Sequence, residues 1–322
     1  MTLSLHLIRG AGAVELNDLA AGVASDALVF VNRNPPPERD LASAARLLET
    51  GDRLAAVLIA APDDALAVRC WRELSPLVAA LARPWTASRP LCIRRSAWEQ
   101  SGRFRDVPDP LWEWTVRAAR DGRGVLCVPA AAPGGGPLPE GEELPALAPQ
   151  APAAGCDWLL ALLRSLGPDD LVPRAASPPD AVALLAGLLQ LHDALDESHT
   201  QSQSIEGRGR SRSGDYWHGI MHRREPDDSN ARYWFRRVGR HPAFDDLAPA
   251  ADAILAATRS PEAGRWHRRL GTPGGWDPLA FVDFCAHCRQ SDDADLETAA
   301  RRIQLVEMLV LLIQTDRDAG GS

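Results

Sequence analysis

Side chains that bind metals, transfer protons or pair with anions are concentrated in the second half of this 322-residue chain. Seven of the eight histidines lie between residues 192 and 287. Imidazole is a common ligand of zinc and other transition metals, and it exchanges protons near neutral pH. The concentration of histidine therefore indicates where to search for a site.

Two stretches place histidines at helical spacing. In YWHGIMHRREPD, residues 216–227, His218 and His222 lie four apart, and Glu225 follows near the next turn. The stretch from Asp180 to Glu206 is predicted to be one long helix, on which His192, Asp196, His199 and Gln203 would share a face. Two helices that turn imidazoles and carboxylates towards each other can build a metal site.

This spacing predicts specific roles. In an enzyme, we expect His218 or His222 to act as the acid or base, oriented by Asp196 or Glu225. For a divalent metal cofactor, the candidate ligands are His192, Asp196, His218 and His222. No H-E-x-x-H motif is present. Three interpretations stay open: a metal site, a metal-free pocket and a structural polar network.

Arginines surround the same histidines. Residues 207–240 contain nine arginines and four acids, in a chain whose formal charge is −8. Guanidinium groups bind carboxylates and phosphates through paired hydrogen bonds, so an anionic small molecule is the predicted ligand. The opposite interpretation is a set of ion pairs with neighbouring acids. The candidate ligand-binding residues are Tyr216, Trp217, His192, Asp196, His199, Arg223, Arg224, Arg236 and Arg237.

Composition limits the class of protein. The negative charge argues against nucleic acid or an anionic membrane as the general partner. The chain starts without a secretory leader pattern and contains no apolar run of about 18 residues, so a cytoplasmic protein is expected. All 35 basic residues are arginine, which lowers the significance of any single one. The six scattered cysteines suit reduced thiols better than a disulfide framework.

The hydrophobic pattern predicts two domains that differ in class. Residues 1–129 alternate apolar runs at 27–32, 55–60, 90–95 and 124–129 with helical segments at 37–51, 63–82 and 108–121. This alternation predicts an α/β domain with a parallel or mixed sheet. Residues 130–157 are rich in Pro, Ala and Gly and predict a linker. Residues 158–322 predict an all-α domain that carries the His/Asp/Arg cluster.

Two segments of the first half carry a resemblance. ELNDLAAGVASDALVFVNRN (15–34) and RPLCIRRSAWEQSGRFRDVPDPLWEWTVRAARDGRGVLCVP (89–129) resemble parts of the family 2 glycosyltransferases. The resemblance implies a truncated, Rossmann-like GT-A fold over residues 15–129 that lacks the nucleotide-binding part of the family. It also implies Asn32-Arg33-Asn34 at the position of the metal-holding Asp-x-Asp motif, and Glu113 at the position of the catalytic base. A relative that is inactive as a transferase is therefore expected.

The sequence is also consistent with other functions. Residues 180–314 resemble a His/Arg-rich helical domain of bacterial proteins to which no activity is attached. The helical domain could instead be a non-catalytic interaction module that docks a protein partner through its aromatic and arginine-rich surface. Residual transfer from a sugar nucleotide is a further alternative. Histidines that converge would favour a binding site, and histidines dispersed over a surface would favour the module.

Overall fold

The structure is a computed structural model of the whole chain, and it describes residues 1–7, 12–31, 36–60, 65–82, 90–129, 144–152, 154–272 and 275–320. The chain divides into two compact units, Met1–Glu142 and Glu143–Ser322. Each unit is described by itself. Within the described ranges, no helix is both long enough and apolar enough to cross a bilayer.

The first unit is an α/β structure built on a five-stranded mixed sheet. Its strands, in the order β1-β2-β4-β3-β5, pair in parallel at both edges, while β4 runs antiparallel to its two neighbours. The elements in chain order are β1 (Leu3–Leu7), α1 (Ala13–Ala21), β2 (Ala27–Val31), α2 (Glu38–Glu49), β3 (Leu54–Ala60), α3 (Ala65–Glu73), α4 (Pro76–Ala82), β4 (Leu91–Arg94), α5 (Arg95–Ser101), α6 (Pro110–Arg120) and β5 (Gly124–Pro129).

Strand β2 is covered on both faces. Successive side chains of a strand point to opposite sides of the sheet, so Val29 and Phe30 meet different neighbours. Val29 packs on one face with Leu48 of α2. Phe30 points the other way and meets Phe104 edge-on at 5.4 Å between ring centroids. Phe104 in turn contacts Trp114 of α6. The two-sided burial explains why this strand reads as a continuous apolar run in the sequence.

The structure agrees with the predicted strands and corrects two other expectations. Residues Leu3–Leu7, for which no element was predicted, form an edge strand. The single helix predicted over 63–82 is wrong: α3 ends at Glu73 and α4 begins at Pro76. Proline at 76 supplies no backbone N–H and disfavours helical geometry at the preceding residue, so it starts a new helix. Asn32, Arg33 and Asn34 lie outside the described residues.

The second unit is all-helical apart from a two-stranded ribbon of two-residue strands. Its elements are α7 (Asp157–Ser165), α8 (Pro168–Leu171), α9 (Pro178–Leu191), α10 (Leu195–Ser204), α11 (Ser213–Arg224), α12 (Asp228–Val238), α13 (Phe244–Ala256), α14 (Ala263–Leu270), β6 (Gly271–Thr272), β7 (Gly275–Trp276), α15 (Pro278–Cys288) and α16 (Ala294–Ala319). The helices agree with the predicted all-α class, and the ribbon of β6 and β7 departs from it.

Helix α11 lies at the centre of the second unit. All twelve of its residues are buried, although half of them are polar or charged. It packs against α9, α10, α12 and α16. A helix enclosed on every side must satisfy its polar groups with partners from other helices. YWHGIMHRR is therefore an internal helix and not a solvent face.

The long helix predicted from Asp180 is broken. Helix α9 ends at Leu191, and α10 starts at Leu195 after Asp193 takes a positive φ of 61°. Aspartate tolerates the left-handed region better than most residues. The prediction that His192 shares a helix face with His199 is therefore wrong, because the two residues lie on opposite sides of the break.

Part of the segment predicted as a linker packs on the second unit. The carbonyl oxygen of Ala146 accepts hydrogen bonds from Gln304 at 3.0 Å and from Arg224 at 3.2 Å. The carbonyl of Pro145 accepts one from Arg301 at 3.3 Å. From residue 144 onward, the Pro- and Ala-rich stretch is attached to the helical unit by these side chains.

Candidate functional site

Three histidines from two helices converge in the second unit. His218 and His222 project from the same side of α11, one turn apart, and His199 projects from α10. One ligand atom of each lies within 4.8 Å of the other two. The ring centroids are 4.7 Å apart for His199 and His218, 5.3 Å for His199 and His222, and 4.9 Å for His218 and His222. These three residues are called the histidine triad below.

Helix α12 supplies two further side chains that contact the triad. The indole of Trp234 stacks on the imidazole of His218, with centroids 3.9 Å apart and an interplanar angle of 19°. The Asn230 side-chain amide lies 3.0 Å from Nε2 of His222. The same nitrogen lies 3.4 Å from Nδ1, and in the tautomer protonated on Nδ1 the amide donates to Nε2, the nearer atom.

Glu225 completes the environment of His222. One of its carboxylate oxygens lies 3.3 Å from Nδ1 of the same ring, just beyond the end of α11. In this tautomer the carboxylate accepts the Nδ1 proton, and the lone pair of Nε2, which faces Asn230, is the one that a metal or a proton would use. Carboxylates hold metal-ligating histidines in this way. Of the two predicted orienting residues, Glu225 lies at the triad.

Burial lowers the pKa of two of the three imidazoles, those of His218 and His222. His218 is 1% exposed, and removal from water lowers its pKa from 6.5 to about 3, helped by nearby His222, His199 and Arg237. Burial also lowers the pKa of His222, against the opposing effect of Glu225. Nδ1 of His218 is buried, and no described residue hydrogen-bonds to it. Neutral imidazoles with available lone pairs are the form that binds metal.

Gly219 allows α12 to approach the triad. A Cβ atom at this position would lie 2.9 Å from Cε1 of Phe235, so a larger residue would push α12 away from α11. His218 and His222 flank this glycine along the helix. The close approach brings Trp234 and Asn230 within reach of the two imidazoles. A glycine between two site residues was a signal that sequence reasoning did not use.

Other predicted ligand-binding residues belong to a core network instead. Tyr216, Trp217 and Arg223 are fully buried. The Tyr216 hydroxyl donates to Glu307 at 3.0 Å, and Arg223 pairs with the same carboxylate at 2.5 Å. The Arg223 guanidinium also lies over the ring of Phe281 at 4.4 Å. Trp217 donates from Nε1 to the hydroxyl of Thr315 at 3.3 Å. These groups join α11 to α16 inside the core.

Arg224 has a comparable structural position. Its guanidinium is fully buried, pairs with Asp193 and donates to the carbonyl oxygen of Gln190 at 2.6 Å. It therefore neutralises the residue at the break between α9 and α10 and adds a hydrogen bond to a carbonyl at the end of α9. The sequence left two roles open for these arginines, binding of an anion and pairing with acids of the chain. Arg224 forms an ion pair of the second kind, with Asp193.

The remaining candidates are spread over different positions. His192 is buried at the end of α9, and the described group of converging ligands does not include it. Asp196 and Arg236 are exposed. Arg237 is partly exposed, lies over the Trp234 ring at 5.0 Å and pairs with Glu206 at 2.6 Å. Of the four metal ligands predicted from the sequence, the converging group contains His218 and His222, and its third member is His199.

In the first unit, Glu113 is engaged by arginines. The carboxylate is 5% exposed and pairs with Arg117 at 3.0 Å and Arg105 at 3.2 Å. Arg117 reaches both oxygens, because its Nε contacts the second one at 3.1 Å. Both oxygens of this carboxylate are therefore occupied by guanidinium groups.

Acid should destabilise the second unit through His241. This ring is fully buried, its Nδ1 accepts from the backbone of Ala243, and burial lowers its pKa from 6.5 to about 4. Between these values the unfolded chain binds a proton that the folded chain does not, so stability falls as the pH falls. From pH 7 to pH 4.5, we expect a loss of about 2 kcal/mol from this residue.

Thermal melting of His241→Asn tests this prediction. Asparagine retains an acceptor near Nδ1 but does not titrate. The melting temperature of the variant should drop less between pH 7 and pH 4.5 than that of the parent chain. Equal drops would show that His241 does not carry the acid sensitivity.

Comparisons with known proteins give a distant likeness. No family model matches the chain, and no curated protein matches it. A similar solved structure is the mannosyltransferase PcManGT from Pyrobaculum calidifontis in complex with GDP-Man and Mn2+, at 14% identity and a TM-score of 0.35. The comparison covers 96% of this chain and 66% of that one, so the chain spans just under two thirds of the mannosyltransferase. The site described above rests on this chain's own residues.

Proposed function

We propose that the second unit is a metal-binding domain in which His199, His218 and His222 hold one divalent ion. The observation that carries the proposal is the convergence of three imidazoles, with ligand atoms within 4.8 Å of one another. Two of the three rings are buried, and Nδ1 of His218 has no hydrogen-bond partner among the described residues. Buried polar atoms without partners are rare unless a ligand satisfies them.

Zinc is the metal that this set fits best. Imidazole suits zinc, copper, nickel and iron, whereas calcium and magnesium prefer oxygen ligands. With Zn–N bonds of about 2.0–2.1 Å in tetrahedral geometry, the three nitrogens would lie about 3.3 Å apart. The triad would contract slightly around the ion, and the metal would replace the Asn230 amide at Nε2 of His222.

Three histidine ligands leave a fourth position for water or for an anionic ligand. Zinc lowers the pKa of a bound water to about 7, so such a site can supply hydroxide near neutral pH. The Asn230 amide lies on the Nε2 side of the His222 ring and offers a hydrogen-bond donor there, whereas Glu225 contacts Nδ1 on the other side of the ring. An oxyanion on the metal is the ligand expected here.

Convergence of the imidazoles favours this function over a protein-interaction module. A docking surface would expose its aromatic and charged groups, whereas Trp234, His218 and His222 are 6% exposed or less. The module would also leave a buried His218 lone pair without a role.

Metal analysis of the full chain tests the proposal directly. The protein would be purified with a histidine-free affinity tag and without chelators, and its metal content measured by plasma mass spectrometry. One equivalent of zinc or another first-row metal per chain is the expected result. Less than a tenth of an equivalent, together with no binding of added zinc at micromolar concentration, would reject the metal site.

For the first unit we infer a sugar-transferase relative without transferase activity of its own. Asn32 and Asn34 offer amides in place of metal-binding carboxylates, and Glu113 is held by Arg105 and Arg117. Calorimetric titration of the full chain with UDP- or GDP-sugars in the presence of Mn²⁺ should therefore give no saturable heat. A titration with Mn²⁺ alone corrects for ion binding at the triad. Saturable heat that requires the sugar nucleotide would restore the transferase alternative.

A further inference from the structure

The outer edge of strand β1 pairs with no strand among the described residues. Strand β1 is the first in the sheet order, and it pairs in parallel with β2 through all five of its residues without an irregularity. The carbonyl oxygen of Thr2 accepts from the N–H of Ala27 at 3.1 Å, and the peptide groups that face one neighbouring strand recur at every second residue. The backbone N–H and C=O groups of the alternate residues, Leu3, Leu5 and Leu7, therefore face outward.

This edge lacks the features that prevent strand edges from pairing. Soluble proteins protect exposed edges with proline, charged side chains or bulges. The edge strand on the other side of the sheet, β5, ends at Pro129, and its pairing with β3 shifts register between Leu54 and Ala56. Strand β1 contains no proline, arginine or acid, and the central Leu5 is 49% exposed. A regular apolar edge of this kind is a template for pairing with another strand.

The sequence of β1 is complementary to itself in antiparallel pairing. With Leu5 opposite Leu5 of a second copy, Leu3 lies opposite Leu7, and Ser4 lies opposite His6. The outward N–H and C=O of Leu5 then exchange two hydrogen bonds with the same groups of the other copy. Ser4 of the second copy would stand beside His6, whose buried Nε2 has no hydrogen-bond partner among the described residues. One two-fold axis at Leu5 generates all of these pairs.

Charges on α2 fit the same two-fold arrangement. Glu38 and Arg46 are exposed and line a groove of about 390 Å³ together with Leu3 of β1. Ala42 lines the same groove and lies four residues from each of them. Ion pairs between described residues involve neither Glu38 nor Arg46, and Arg46 donates to the hydroxyl of Ser43. Two antiparallel copies of α2 centred at Ala42 would place Glu38 of each copy beside Arg46 of the other.

We propose that two copies of this chain associate through β1 in antiparallel orientation and join their five-stranded sheets edge to edge. The surface comprises one short strand and one helix face, so the dimer belongs to the small, reversible class. Glu15 and Asp18 on α1, which line a groove with His6, oppose the association by like-charge repulsion. Both are exposed, so water and salt screen that repulsion. The dimer involves the first unit and is independent of metal at the histidine triad.

Sedimentation velocity of the full chain, in the presence of a chelator and from about 1 to 200 µM, tests the association. The mass should rise with concentration from 34.8 kDa towards twice that value. Leu5→Lys places two like charges opposite each other at the axis and should weaken self-association by about tenfold or more. The matched control is Leu126→Lys on β5, where the leucine is 40% exposed, and it should change self-association less than about twofold.

Charge reversal on α2 tests the antiparallel arrangement. Arg46→Glu brings like charges together across the axis and should weaken the dimer by about threefold. Combining it with Glu38→Arg re-forms the pair with opposite polarity and should restore the parent affinity. Failure of the double variant to restore the dimer would overturn the antiparallel arrangement. A parent chain that stays monomeric throughout, or equal effects of Leu5→Lys and Leu126→Lys, would overturn pairing through β1 and leave the metal site untouched.

Discussion

Replacing any one histidine of the triad by alanine is expected to remove the bound metal. Two imidazoles bind zinc far more weakly than three, and even partners outside the ligand set change affinity by 10–100-fold, so we expect a loss on the order of a hundredfold or more. His199→Ala is the most informative variant, because its ring is only partly buried and its loss should perturb folding least. Zinc competition with a chromophoric chelator measures the change.

Two further variants calibrate this result. His267→Ala removes a surface histidine that pairs with Asp252, outside the triad, and should leave zinc affinity unchanged. Glu225→Gln keeps the ligands but weakens the acceptor for Nδ1 of His222, so it should weaken zinc binding by about tenfold. If His199→Ala and His267→Ala bound zinc equally well, the triad would not be the metal site.

Replacing Glu307 by glutamine is expected to destabilise the second unit severely. The Arg223–Glu307 pair is completely buried, and Tyr216 donates to the same carboxylate. Removal of one partner of such a pair leaves a buried guanidinium without its counter-charge, which costs about 3–5 kcal/mol. Urea unfolding followed by circular dichroism should show a large fall in the transition midpoint.

The matched control is Glu197→Gln on α10. Glu197 also pairs with an arginine, Arg164 at 2.6 Å, but both side chains are substantially exposed. Exposed ion pairs contribute about 0–1 kcal/mol, so this variant should unfold close to the parent midpoint. Similar midpoints for both variants would mean that the buried network contributes no more than a surface pair.

The sequence identified the layered first unit largely because its strands are buried on both faces. Short continuous apolar runs at residues 27–31 and 54–60 favour strands that are covered on both faces, and the structure places helices accordingly. It did not reveal the edge strand Leu3–Leu7, since edge strands face solvent and carry a weaker pattern. The order of the strands depends on pairing between distant segments, which local periodicity does not encode.

In the second unit, residue spacing predicted which side chains share a face only where the helix is continuous. The pair His218 and His222 was predicted from the four-residue interval, which holds on any helix. The expected alignment of His192 with His199 failed because Asp193, held by Arg224, ends the helix between them. That contact joins residues 31 positions apart, and no local sequence pattern predicts it.

The sequence by itself determined that histidine, carboxylate and arginine would be concentrated in the stretch that forms α11, with two histidines at helical spacing. Only the tertiary structure decided which of these groups face one another. Arg223 and Arg224 turn into the core, where Glu307 and Asp193 neutralise them, while His218 and His222 turn towards His199. The physical reason is that a buried polar group must find its partner, and for a central helix those partners come from elements far away in the chain.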